Sequence, residues 1–90
     1  MAYSKQELKV IYREKKYEEL TQCERILKYL LEEGTIDARI ATNKLGIYRL
    51  ASRVKDLKRR GYNIVGRMET GNNRFGEKTR FKVYRLEESA

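Results

Sequence analysis

The chain has 90 residues, of which 40% are hydrophobic and 38% charged, and its formal net charge is +8. This length allows one small domain and leaves little room for a second. The single cysteine, Cys23, excludes an internal disulfide, and the sequence has neither a signal peptide nor an apolar run of membrane-spanning length. We therefore expect a protein of the reducing cytoplasm.

The first predicted helix begins at a capping box, in which a hydroxyl and a glutamate three residues later satisfy free backbone amides. Ser4 and Glu7 form this pattern and predict a helix over residues 5–19. Its apolar stripe is short, since it consists of Leu8, Ile11 and Tyr12. Residues 1–20 are accordingly interpreted as an N-terminal helical extension.

A second capping box, Thr21 with Glu24, opens a helix over residues 22–33 that ends at Gly34. Apolar residues at helical spacing mark one face of it as core: Ile26, Leu27, Leu30 and Leu31. Residues 35–36 form a short extended link, and Asp37 then caps a brief helix over residues 38–45 that stops at Gly46. Ile40 is expected to point away from the core on this helix.

Most of the segment RLASRVKDLKRRGYNI, residues 49–64, lies in the third predicted core helix, residues 48–60. Leu50, Val54 and Leu57 recur at helical spacing, and Gly61 ends the helix. Residues 48–61 contain six positive charges and one negative charge. The positive charges of this helix therefore repel one another, and a negatively charged partner would reduce this repulsion.

A β-hairpin is predicted after this helix. Residues 62–65 begin one strand, residues 70–73 and 75–76 have turn chemistry, and residues 79–86 alternate as a second strand. Residues 62–86 contain six positive and two negative charges, and residues 87–90 form an acidic tail. Positive charge is thus concentrated in residues 48–86.

This element order predicts a mostly α fold with a C-terminal β-hairpin (α+β). Residues 21–86 resemble a winged helix-turn-helix domain, here with an extra N-terminal helix. The segments TQCERILKYLLEEGTI, LGIYRLASRVKDLKRRGYNI and NRFGEKTRFKVYRL look like a group of short winged-helix proteins commonly encoded by bacteriophages and prophages. The resemblance implies binding to double-stranded DNA, in a bacterial or phage-infected host cell. One departure is Thr42, which stands where the common helix-turn-helix motif has a small residue.

The face of residues 48–60 opposite the apolar stripe carries long hydrogen-bond donors and a hydroxyl. A recognition helix needs such side chains because its first turns reach base edges in the major groove. The candidates for reading bases are Arg49, Ser52 and Arg53, followed by Tyr48 and Lys55. Arg59 and Arg60 lie nearer the far end and are expected to contact phosphates. Asp56 either accepts a hydrogen bond from cytosine or holds a neighbouring arginine.

The hairpin supplies a second set of DNA-binding candidates, a basic wing over residues 71–82. These candidates are Arg74, Lys78, Arg80 and Lys82. Gly71 and Gly76 allow close approach to phosphates or entry into the minor groove. The wing is therefore expected on the DNA backbone or in the minor groove, although an ordinary hairpin with one soluble face would have the same composition.

Other interpretations of the basic helix and of the N-terminal stripe remain open at this point. The basic helix is also compatible with a solvated surface, or with a protein-binding module such as an inhibitor or antirepressor that docks through the N-terminal helix. The same short apolar stripe is a candidate homodimer interface. An architectural or recombination-directionality factor would bend its DNA. RNA binding is disfavoured, because Tyr29, Tyr62 and Tyr84 are placed for core packing rather than on a stacking platform.

Enzymatic function is not expected. The chain has no histidine, the commonest general base and metal ligand near neutral pH. Cys23 has no partner base in the sequence pattern, and neither a phosphate-binding loop nor a cysteine cluster is present. We therefore predict no cofactor, no metal and no membrane association.

Overall fold

The computed structural model describes residues 4–88. In chain order the elements are α1 (Lys5–Tyr12), a 3-10 helix (Tyr17–Glu19), α2 (Gln22–Glu33), β1 (Thr35–Ile36), α3 (Ala38–Leu45), α4 (Leu50–Arg59), β2 (Asn63–Asn72) and β3 (Lys78–Glu87). The predicted α+β fold with a C-terminal hairpin is confirmed. Residues 1–3 of the predicted extension and 89–90 of the predicted acidic tail lie outside the described residues, and Glu87 ends β3.

The hairpin is part of a three-stranded antiparallel sheet with strand order β1-β3-β2. The short extended link predicted at residues 35–36 is β1, and Ile36 pairs with Tyr84 of β3. The β2–β3 ladder continues from Asn63 and Glu87 at its base to Asn72 and Lys78. Only the base of this hairpin joins the core. None of residues 67–82, called the distal wing below, is buried.

The core forms around α2, which packs against α1, α3, α4 and β3. The capping box predicted at its start is present, with the Thr21 hydroxyl accepting a hydrogen bond from Glu24 N. In α3, Asp37 Oδ1 accepts from Ile40 N at 2.9 Å, and Gly46 ends the helix at a φ of 68°. The predicted bounds of both helices are confirmed. Ile40, however, packs partly buried against the core, which corrects its expected outward position.

α1 is shorter than the sequence predicted, since it ends at Tyr12 rather than near residue 19. Leu8 and Tyr12 are buried against α2, whereas Ile11, the third member of the predicted stripe, is exposed. The helix is therefore a packed part of the core. After α1, the chain connects to α2 through the 3-10 helix and Leu20, which is buried.

A buried lysine contacts the chain where α1 ends. Lys28 Nζ on α2 donates to the carbonyl oxygen of Tyr12 at 3.0 Å and to Glu32 Oε2 at 2.6 Å. Tyr17 then donates its hydroxyl hydrogen to Glu32 Oε1 at 2.7 Å. The hydrogen bonds from Lys28 and Tyr17 hold the pKa of Glu32 below its ordinary value. The Tyr12 carbonyl oxygen also accepts a hydrogen bond from Lys15 N at 3.2 Å, and these contacts together fix the chain between α1 and α2.

Candidate nucleic-acid interface

The basic helix α4 is oriented by Leu50, Val54 and Leu57, all of which are buried. The helical period therefore turns Ser52, Lys55 and Arg59 away from the core. Lys55 and Arg59 are exposed, and Ser52 is partly buried. Lys58, which the sequence interpretation did not include, is also exposed. Its spacing of three residues from Lys55 is the signal that could have identified it.

The predicted start of this helix was two residues too early. α4 begins at Leu50, with Arg49 as its N-cap and no side-chain capping hydrogen bond. Tyr48 and Arg49 lie instead in the turn between α3 and α4. Thr42 contributes to this turn, because its hydroxyl donates to the carbonyl oxygen of Ile47 at 3.2 Å. At the other end, Arg60 is the C-cap rather than a helical residue.

A groove separates the start of α4 from the distal wing. Tyr48 and Arg49 line one side, and Thr79, Phe81 and Lys82 line the other. Arg39, at the start of α3, faces the same groove and is exposed. Sequence reasoning missed Arg39, although the Asp37 cap already placed it in the first turn of a helix. The groove thus brings cations from both helices and the wing around one space.

The wing cations share one face of the hairpin. Alternate residues of a strand point to the same side, so Lys78, Arg80 and Lys82 lie on the face of β3 that also carries Tyr84 and Leu86. Tyr84 and Leu86 are buried against the helices. Of the three cations, Lys82 lines the groove, beside Thr79 and Phe81 of the opposite face.

Lys82 is held in place by two neighbours. Its ammonium lies 5.6 Å from the centroid of the Tyr84 ring, within the range of a cation–π interaction. Its side chain crosses Gly66 on β2, where an added Cβ would come within 2.7 Å of Lys82 Cε. A side chain at position 66 would therefore clash with Lys82, and glycine avoids this clash.

Arg53 and Arg60 face a second cleft, on the side of α4 nearer α2. This cleft is lined by the opening residues of α2 together with Tyr12 and Tyr62. Arg53 is 38% exposed and pairs with Asp56 at 3.2 Å, while Arg59 lies 4.0 Å from the same carboxylate. Burial raises the pKa of Tyr12 to about 12, so its hydroxyl stays neutral. The predicted helix residues are thus divided between two sides of α4.

The wing tip differs from the predicted turn. β2 continues through Gly71 to Asn72, and the connection comprises residues 73–77. Gly71 fits in the strand because Phe81 covers it, with an added Cβ lying 3.2 Å from Phe81 Cε1. Arg74 and Phe75 are both exposed in this connection. Arg74 therefore projects from the tip, while the other three wing candidates lie on β3.

Residues 21–89 match the family described as winged helix-turn-helix domain. The chain belongs to this winged helix-turn-helix family. The helices of the chain and its C-terminal β2–β3 hairpin are consistent with the winged-helix fold. Domains of this family typically bind DNA and are not enzymes, which supports DNA binding by this winged-helix chain. Comparison with curated proteins and with solved structures gave no significant match.

The described part of this winged-helix chain contains neither a membrane-spanning helix nor a metal-binding cluster. Within residues 4–88, no helix is long and apolar enough to cross a membrane. The same residues contain no cluster of three or more side chains suited to holding a metal ion. The groove and the second cleft are both lined by predicted DNA-binding side chains, the groove by Tyr48 and Arg49 and the cleft by Arg53 and Arg60.

Proposed function

We propose that this protein is a sequence-specific double-stranded DNA-binding transcriptional regulator of the type that phages and prophages encode, acting in the bacterial cytoplasm. α4 enters the major groove, and the wing lies along the backbone or in the minor groove. The observation that carries this proposal is the groove between the start of α4 and the wing, which Arg39, Arg49 and Lys82 line together. Glu87 and Glu88 lie at the opposite end of β3 from the wing tip.

Base reading is assigned first to side chains around the start of α4. Arg49 borders the groove and Ser52 lies on the outward face of the helix. Arg53 retains a base-reading role through its pairing with Asp56, which orients the guanidinium. Tyr48 and Lys55 complete the set. A bidentate arginine contact with guanine discriminates against the wrong base by about 1 to 3 kcal/mol.

Phosphate contacts are assigned to the remaining cations. The proposed phosphate set is Arg59, Arg60, Arg74, Lys78, Arg80, Lys82 and the newly included Arg39. These side chains flank the base-reading residues along α4, α3 and the wing. Because each neutralised phosphate releases counterions, they account for most of the salt-dependent affinity.

Selection of bound fragments from random and genomic duplex DNA, at two salt concentrations, tests the proposed regulator. An enriched motif is expected, and Arg49→Ala should lose about 1 to 3 kcal/mol on that motif while relaxing preference at one position. Lys82→Ala should weaken selected and random duplexes alike. Equal losses for both variants on both duplexes would refute this division of roles.

A homodimer through α1 is a further part of the proposal, because many such regulators read paired half-sites. Leu8 and Tyr12 are used in the core, which leaves Val10 and Ile11 as the exposed apolar residues of α1. Ile11→Glu should convert a dimer to a monomer in sedimentation measurements. Point substitution is preferable to deletion of residues 1–19, because deletion would remove the hydrogen-bond partner that Tyr12 gives to buried Lys28.

A further inference from the structure

The wing tip exposes an aromatic side chain that the fold does not use. Phe75 is 79% exposed, and it lies in the connection farthest from the core, beyond the last paired residues of the hairpin. A single exposed apolar residue is ordinary on a protein surface. The surroundings of Phe75, its backbone support and its neighbouring charges, are what distinguish it.

Asn73 holds the backbone that presents Phe75. Its Oδ1 accepts hydrogen bonds from Phe75 N at 2.9 Å and from Glu77 N at 3.0 Å. Its Nδ2 donates to Glu77 Oε1 at 3.0 Å, and Gly76 N donates to the Asn73 carbonyl oxygen at 3.0 Å. Gly76 adopts a φ of 79°, which favours glycine. The turn is therefore ordered before any partner binds, which reduces the entropy cost of binding.

The charges around Phe75 favour a polyanionic partner. Arg74 precedes it, and Lys78 and Arg80 follow on β3. Glu77 is the one carboxylate among residues 73–80, and its Oε1 accepts the hydrogen bond from Asn73. An aromatic ring surrounded by cations matches a nucleic acid, in which stacked bases are bordered by phosphates. An acidic protein surface would also match the charges, but the proposed placement of the wing brings this tip to the duplex.

We propose that Phe75 is an apolar wedge that inserts between base pairs from the minor groove and kinks the bound DNA. This inference rests on the proposed DNA-binding function. Apolar wedges in minor-groove proteins partly unstack a base step and bend the duplex by about 20 to 90°. The cost of unstacking is a few kcal/mol and is offset by additional contacts to the bent DNA. Arg74 and Lys78 would contact the phosphates on either side of the opened step.

Fluorescence resonance energy transfer between dyes at the two ends of a bound duplex reports the end-to-end distance and therefore the bend. Wild-type protein should bring the ends together, and Phe75→Leu, which keeps an apolar wedge, should retain most of the bend. Phe75→Ala should bind the same duplex but bend it no more than half as much as the wild type does. Met68→Ala is the matched control, because Met68 is also exposed, at 51%, but lies on β2 away from the tip. This control should bend DNA as the wild type does.

A fluorescence measurement can detect the insertion of the side chain at position 75 directly. The chain contains no tryptophan, so Phe75→Trp introduces a single reporter whose emission should be quenched by stacking on bases. Circular dichroism of each variant should match the wild type, since Phe75 has no part in the core. Binding without a bend, or an equal bend with Phe75→Ala, would overturn the wedge and leave DNA binding intact. Failure to bind any duplex at low salt would overturn both proposals.

Discussion

The N-terminal segment, residues 4–20, and the distal wing, residues 67–82, each contain five lysines and arginines, but they differ in how their side chains are used. The N-terminal segment buries Leu8, Tyr12 and Leu20 in the core. The distal wing contains no buried residue. The N-terminal segment also has four carboxylates against two in the wing. Similar cation content thus accompanies a stabilising role in one region and an exposed, proposed DNA-binding surface in the other.

The largest expected effect falls on the N-terminal side of this comparison. Leu8→Ala should lower the free energy of unfolding by about 2 to 5 kcal/mol, because it leaves a cavity between α1 and α2. Val10→Ala is the control on the same helix, since Val10 is 58% exposed and should change stability by no more than about 0.5 kcal/mol. Urea unfolding measures both. Equal losses would mean that α1 does not belong to the core.

Removing charge from the wing should affect DNA binding instead of stability. Alanine at Lys78, Arg80 and Lys82 together should reduce the salt slope of duplex binding by about 3, because each phosphate contact contributes about 0.9. The charge-matched control places alanine at Lys9, Arg13 and Lys16, which are exposed in the N-terminal segment. Its salt slope should remain that of the wild type. A similar reduction in both triple variants would show that net charge, rather than the wing, governs affinity.

Gly66→Ala tests a smaller feature of the wing, the position of Lys82. The added methyl group would displace the lysine side chain, so duplex affinity should fall by no more than it does in Lys82→Ala. A double-mutant cycle separates this effect from general damage. In the Lys82→Ala background, Gly66→Ala should cause only the smaller loss that comes from contact of the new methyl group with the Tyr84 ring, 3.2 Å away. A full additional loss would contradict the proposed contact between these two positions.

The smallest predicted effect concerns Glu32, which anchors the N-terminal segment. Its folded-state pKa lies below the ordinary 4.5, so its contribution to stability is fully present above that value. The contribution is lost as pH falls through the lowered folded-state pKa. The stability difference between wild type and Glu32→Gln, measured by urea unfolding, should therefore shrink between about pH 6 and about pH 3. A difference that stays constant over this window would contradict the role of the charged carboxylate.

Local signals in the sequence predicted much of the fold. The bounds of α2 and α3 were correct because Thr21, Asp37 and Gly46 act on neighbouring backbone groups. The path of the chain after α1 could not be predicted in this way, since the contact at the Tyr12 carbonyl comes from Lys28, which lies 16 residues farther along the sequence. Pairing of β1 with β3 joins Thr35 to Arg85 across the length of the domain and is likewise a tertiary property.

The candidate interface was predictable in composition but not in arrangement. Helical spacing identified which side chains of α4 leave the core, but it could not show that Arg53 faces the α2 side while Arg49 borders the wing. Arg39 is part of the candidate interface because α3 packs against α4, and this packing is a tertiary contact. Strand alternation could have placed Lys78, Arg80 and Lys82 on one face, yet which face meets the helices depends on the burial of Tyr84. The DNA-binding roles of these residues remain proposals.

The most direct test of the account is fluorescence anisotropy of a labelled duplex, titrated with wild-type protein over a range of salt concentrations. If α4 and the wing together neutralise roughly six phosphates, the logarithm of the association constant should fall with the logarithm of salt at a slope of about −5. This result would support a cationic surface that binds DNA through counterion release. A flat response to salt, or no binding at low salt, would contradict it.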